Sequence, residues 1–497
     1  MRGTRCDVAA GVLPVIAIDR GAVNSLHKQI YDGYRAAIVR GDLRPGQQLP
    51  STRDLVSELH VSRTPVLNAY AQLIAEGYFE SRAGAGTFVS SSLPDRPTAL
   101  GGGARQSARI NPGPRPVARR TSLLHTREVA PWRRGWGAFG AHQPALDQFP
   151  FQIWSNLAMR HSRSPRASAL HRIDPLGSIE FRDAICTYLK TARAVRCDVE
   201  QIMIVAGSQQ ALDISARVLL DAGSRVWVEE PGYRLTRDVL TAAGCRLIPV
   251  PVDSEGMNVA AGIKRCRTAR AAYVAPSHQY PLGATMSASR RFQLLDWAQS
   301  SGSWIIEDDY DSEYRYESQP IASLQGLDHN ARVIYIGTFS KVLFPTLRLG
   351  YIVIPPDLVD HFAAIRFAMD LGPPYFYQEL LTDFMREGHF ARHIRKMRLL
   401  YNERRSALVD CIRNEFGSEL EIQGAEAGMH LTVTLPAGFN DRQIAMRAAS
   451  QGLWLWPLSP SYLGENPRQG LILGFGSTMA AEMPGAVRRL RNSVVPD

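Results

Sequence analysis

Apolar positions recur at helical spacing near the start of the chain and at strand spacing further on. Leu26, Ile30, Tyr34 and Ile38 share one face of a helix predicted over 25–40 and closed by Gly41. Ser51, behind a proline, predicts the cap of a short helix running to His60. Ser62 predicts the cap of the next, over 63–76, with Pro65 tolerated in its first turn. Two short helices joined by a tight turn form a helix-turn-helix. The run YFESRAGAGTFV, 78–89, reads as two strands around a glycine-rich tip, a wing. From residue 149 apolar strands alternate with helices: QIMIVA (201–206), RVWVEE (225–230), CRLIPVPV (245–252), AAYVAP (271–276), SWIIEDDY (303–310) and RVIYIG (332–337). That alternation predicts an α/β fold with a mainly parallel sheet covered on both faces. After 355 the chain turns mostly helical, with a long amphipathic stretch, and ends in a smaller α+β part containing MHLTVTLP and LILGFG.

Length and charge divide the chain further. At 497 residues, 45% of them hydrophobic, it exceeds one compact core and predicts two or three domains. Between 91 and 135 Gly, Pro, Ser and Arg dominate without apolar periodicity, so the expected layout is a DNA-binding domain over 1–90, a flexible linker over 91–135 and a larger domain over 136–497. That linker holds nine arginines against two acidic residues, so most of the net charge of +10 sits there and points to a polyanionic partner. The six cysteines are scattered, with no pair at metal-ligand or redox spacing. No apolar run is long enough to span a membrane or act as a signal peptide, so the expected location is the cytoplasm.

Candidate chemistry lies at predicted strand ends, where ligands of such sheets gather. In TFSKVLFPTLR, Lys341 follows a buried strand, as an amine that captures an aldehyde must, and Arg348 is placed to pair with a phosphate. Thirty-three residues earlier, in IIEDDYDSEYRY, Asp308 suits the pyridine nitrogen of pyridoxal 5'-phosphate (PLP) and Tyr310 its phenolic oxygen. Gly207, Ser208 and Gln209 open a helix whose free amides bind phosphate, and Tyr233, in EEPGY, is placed to stack on a ring. Glu307, Asp309 and Asp311 form an acidic cluster, but no metal is expected, because no histidine or second acidic group accompanies it. In the first domain, Arg53, Arg63 and Arg82 recur near the ends of elements that a winged helix brings to one surface. Ser51, Thr52, Ser62, Thr64, Gly84 and Gly86 accompany them as candidate contacts to double-stranded DNA. AGAGT is no nucleotide loop, since no lysine follows its glycines.

The segments GDLRPGQQLPSTRDL, VSRTPVLNAY and GYFESRAGAGTFV resemble the winged helix of GntR-type bacterial regulators. GSQQ, PGY, SHQYPLG, EDDYDSEY and FSKVLFPTLR resemble fold-type I PLP proteins. Together they make the chain similar to the MocR subfamily, in which a winged helix is fused to an aminotransferase-like domain. The resemblance implies a PLP aldimine on Lys341, with Ser208, Gln209, Thr338 and Arg348 around the phosphate and His278 or Gln279 on the ring's oxygen side. It implies a transcription regulator sensing an amine, an amino acid or PLP, as a homodimer with head-to-tail exchange; the alternative is a working aminotransferase carrying a DNA-binding domain. One departure stands out: where such enzymes hold an arginine for the substrate carboxylate, LILGFG places Ile472. A clamp from Arg234 or Arg468 is then expected, or an unusual effector, or weak catalysis.

Overall fold

The computed structural model describes residues 16–22, 24–93, 116–118, 120–121, 124, 130–163, 173–316 and 322–494. The chain divides into two compact units, 1–115 and 116–497. Much of the stretch expected to be a linker lies outside the described residues.

In the first unit, helices α1 (Leu26–Arg40), α2 (Thr52–Leu59) and α3 (Arg63–Ala75) precede an antiparallel hairpin of β1 (Phe79–Arg82) and β2 (Gly86–Val89). The α1 side chains chosen by helical spacing, Ile30, Tyr34 and Ile38, are buried with Val66, Tyr70 and Leu73 of α3. Tyr34, Tyr70 and Phe79 meet edge to face, with centroids 5.2–5.8 Å apart, which locks the wing to the helices. Ser51 caps α2 as expected, its hydroxyl accepting from the Asp54 amide at 3.2 Å. Ser62 precedes α3 but makes no such bond. Of the two amides such a cap can accept from, those of residues 64 and 65, the second belongs to Pro65 and has no hydrogen to give.

The second unit is built on an eight-stranded sheet. Its strands are β3 (Ile202–Val205), β4 (Arg225–Glu230), β5 (Arg246–Asp253), β6 (Gly256–Met257), β7 (Ala271–Val274), β8 (Trp304–Asp309), β9 (Val333–Thr338) and β10 (Gly350–Val353), in the order β3-β10-β9-β8-β7-β4-β5-β6. All six strands read from the sequence are present, and β9, β8, β7, β4 and β5 run parallel. β10 was not foreseen: its four residues follow the proline-interrupted loop and pair antiparallel with both β3 and β9. Every side chain of β3, β7, β8, β9 and β10 is buried, so the sheet is covered on both faces. The carboxyl-terminal part is a four-stranded antiparallel sheet, β11 (Glu421–Gln423), β12 (His430–Thr434), β13 (Trp456–Pro457) and β14 (Gly470–Gly474), joined to the larger sheet by a 28-residue helix, His389–Phe416.

The end of the expected linker belongs to this unit. Pro131–Arg133 forms a tight helical turn, and Gly135 sits so close to Trp454 that any side chain there would overlap the indole. Among the described residues no helix is long and apolar enough to cross a membrane.

Candidate cofactor and effector site

Strand ends converge on one cavity of about 180 Å³. Ser208, Gln209, Tyr233, Asp308, Tyr310, Thr338, Lys341 and Arg348 line it, together with residues the sequence did not single out: His142, Glu229, Tyr273, Tyr280 and Ser340. The parallel strands β4, β8 and β9 all deliver their following residues to the same edge, which is why positions a hundred residues apart meet here.

At one end the groups suit a phosphate. Gly207, at φ 105°, turns the chain from β3 into a helix, Ser208–Leu219, leaving its first amides open toward the cavity. The Arg348 guanidinium lies beside Gly207, where a Cβ would meet it at 3.4 Å. Thr338 Oγ1 accepts from the Ser340 amide at 3.2 Å, fixing both hydroxyls next to Lys341. Among the described residues Arg348 has no acidic partner of its own.

At the other end Asp308 is buried. Tyr273 donates its phenol to one carboxylate oxygen, and the second oxygen has no partner. A buried, half-satisfied carboxylate is costly, and a protonated ring nitrogen is the kind of donor that satisfies it. Burial raises the Asp308 carboxyl to about 6, opposed by the Tyr273 hydrogen bond. Burial lowers the Lys341 ammonium to about 8, against the attraction of Asp311 and Asp308, so its neutral, nucleophilic form is accessible near neutral pH. Glu229 is pushed up to about 8 by burial, although the Ala275 amide bonds to it. These residues fit PLP.

Other expectations need correction. His278 and Gln279 do not line the cavity. His278 stands behind Tyr310, 3.2 Å from its hydroxyl, while the Gln279 amide is spent on the Pro231 carbonyl at 2.8 Å and on Glu229. The acidic run is accompanied by histidines after all: Asp311, His278 and His430 place ligand-type atoms within 4.8 Å of one another. His278 Nδ1 lies 3.0 Å from Asp311 and His430 Nε2 lies 3.2 Å from the Pro281 carbonyl, which are hydrogen-bond separations. Asp309 is held by Arg193 at 2.7 Å, and Glu307 accepts from the Leu324 and Gln325 amides. Cys186 and Cys197, distant from any redox spacing, have sulfurs 3.9 Å apart in the core, and burial raises the Cys197 thiol to about 12.

His142 is the largest omission. It is buried at φ 65°, both ring nitrogens lack partners, and Tyr280, Trp456 and His430 surround it at 4.9–5.6 Å. Burial, aided by Lys341, holds its pKa well below the usual imidazole value. No pattern in AFGAHQPAL marks it, because its role depends on rings brought from three distant segments. Ile472, on β14, is fully buried against Ala141, Tyr280 and Tyr310. Arg468 is not a substitute clamp: it is exposed and reaches Thr434 and Glu421. Arg234 is not among the residues lining this cavity; it lines a smaller neighbouring one that shares Tyr233 and Tyr280 with it.

On the DNA-binding side, Ser51, Arg53, Ser62, Arg63, Thr64, Arg82, Gly84 and Gly86 are exposed and Thr52 is half-buried. Arg82 pairs with Glu80 and covers the Phe88 ring at 4.5 Å, which holds it on the wing.

Comparison with known proteins accords with this geometry. Residues 156–466 match the family "Aminotransferase class I and II", and residues 26–89 match "Bacterial regulatory proteins, gntR family". The chain is 38% identical over 479 residues to the probable rhizopine catabolism regulatory protein MocR of Rhizobium meliloti, covering 96% of each. It belongs to the MocR family. A second relative, the pyridoxine biosynthesis transcriptional regulator PdxR of Corynebacterium glutamicum, is 30% identical, with 93% of this chain and 94% of that one covered. Among solved structures, Pyrococcus horikoshii kynurenine aminotransferase, in complex with PMP, superposes with a TM-score of 0.70 at 26% identity. That match covers 76% of this MocR-family chain and 96% of the enzyme.

Proposed function

We propose that this chain is a DNA-binding transcription regulator whose second unit carries PLP on Lys341 and uses it to sense a small amine or amino acid, or PLP itself. The half-satisfied Asp308 carboxylate, facing the same cavity as a lysine with a lowered pKa, is the observation that carries the reading. Bound there, PLP supplies an aldehyde that an amine captures and a ring that withdraws electron density. The protein's own groups do the rest. Asp308 would accept from a proton-bearing nitrogen, Tyr310, with His278 behind it, would donate to the group's oxygen, and the helix start at Ser208 with Arg348 would hold its phosphate. An effector amine that took the place of Lys341 would leave a free, buried lysine amine in this cavity. A change of that kind shifts DNA binding only if the effector prefers one arrangement of the protein.

A homodimer is part of this reading. Phe151, Phe367, Phe376 and Tyr377 are large apolar side chains left exposed on helices of the second unit, the kind of surface that a partner covers. The head-to-tail arrangement and a cytoplasmic location remain expectations of the family resemblance.

Borohydride reduction followed by peptide mapping tests the reading, with a pyridoxyl group expected on the peptide containing Lys341. An unlabelled Lys341 would sink it. The competing reading, a turning-over aminotransferase, draws on the PMP-bound structural relative. Repeated consumption of a keto acid by the purified protein would favour it; effector exchange without turnover favours sensing.

A further inference from the structure

A second, smaller cavity adjoins the first. It measures about 70 Å³ and is lined by Arg133, Arg234, Tyr233, Tyr280 and Trp456 among others. Tyr233 and Tyr280 also line the cavity of Lys341. Where a water needs about 10–15 Å³ on this kind of measure, the space takes a small ion. Arg133 stacks over Trp456 at 4.4 Å, and the Nε of Arg234 is buried without a partner. Among the described residues neither guanidinium pairs with an acid. After burial itself, Arg234 is the main influence lowering the Arg133 pKa, and the acid acting on it, Asp238, ranks last. Arg234 also opens the helix Arg234–Ala242, whose start has no side-chain cap. Two cations held together beside open amides are costly until an anion joins them. Ile472, buried against Tyr280 and Tyr310, offers a carboxylate nothing.

We infer that Arg133 and Arg234 bind the acidic end, a carboxylate or a phosphate, of an amine effector whose amino group enters the Lys341 cavity. The inference rests on the sensing function above and names the effector's chemical class. It also supplies a route for the signal. Arg133 sits in the turn Pro131–Arg133, on the stretch that leads from the DNA-binding unit, which ends at residue 115. An effector held by Arg133 acts where the chain that follows the first unit is anchored in the second.

The test is calorimetric titration of PLP-loaded protein with three matched series of graded spacer length: ω-amino carboxylates, ω-aminoalkyl phosphates and plain alkylamines. At one spacer length an anionic compound is expected to bind at least about tenfold more tightly than its alkylamine, and the better anion identifies the acidic group. In R133Q and R234Q the ratio is expected to fall toward one. R133K keeps the charge and is expected to retain part of the preference, which a purely structural role for the stacked guanidinium does not allow. Circular dichroism and the visible band of the loaded protein show that each variant is folded. No preference at any spacer, or a preference that survives both R133Q and R234Q, overturns the inference. A Lys341 that takes no borohydride label removes the sensing reading and this one with it, whereas a labelled Lys341 without anion preference removes this one alone.

Discussion

Lys341 and Asp308 line the same cavity with opposite departures from solution behaviour, one lowered and one raised by burial. In the apo-protein a buried ammonium costs stability. Its folded pKa of about 8 lies below the unfolded value of 10.5, so the penalty is full below pH 8 and fades as pH climbs from about 8 to 10.5. Lys341→Met should therefore raise apo-protein stability at pH 7 by on the order of 1–2 kcal/mol, discounted for solvent in the cavity. Thermal melts at a series of pH values should show the gain disappearing above pH 10. Asp308→Ala should weaken PLP retention at least about tenfold, read as free cofactor after equilibrium dialysis. Both residues were legible because each sits in a short run whose chemistry is visible on its own. Ser340 lay inside the same run as Lys341 and was readable there. His142 and Glu229 were not, since only the folded chain gathers the rings and amides that give them meaning.

Elements were legible where periodicity is long and ambiguous where it is short. The winged helix and six strands follow from spacing alone, whereas β10, four residues after a proline-broken loop, carries no alternation that separates it from that loop. Caps were legible only by residue type. Ser51 and Ser62 look alike in sequence, yet only Ser51 accepts from a helix amide, and at the third helical position after Ser62 stands Pro65, which has none. Ser51→Ala should cost about 1 kcal/mol of the first unit's stability, and Ser62→Ala close to none, as denaturant melts of the two variants will show. Arg63 is exposed in the first turn of α3. Arg63→Ala should weaken operator binding by about 1–3 kcal/mol if it reads a base, or lower the salt slope by about one if it meets a phosphate. Fluorescence anisotropy at several salt concentrations separates the two.

For the molecule as a whole, the exposed aromatic side chains of the second unit carry the dimer expectation. Phe367→Glu and Phe376→Glu should shift the protein toward monomer in sedimentation velocity and weaken binding to a paired half-site more than to a single one. The overall plan, a winged-helix domain and an arginine-rich stretch ahead of an α/β ligand domain, was visible in composition and spacing. The pairing of β10 was not, and it reaches further than its length suggests. Gly350 stands opposite Thr338 on one side and Val205 on the other, only two residues after Arg348. Sliding β10 by one position would turn all its side chains over and carry the guanidinium away from the helix start at Ser208. On the proposed assignment of the phosphate to Arg348 and the helix start at Ser208, strand alignment would set that anchoring, and a loaded protein should melt higher than an empty one because the ligand would tie three neighbouring strands together.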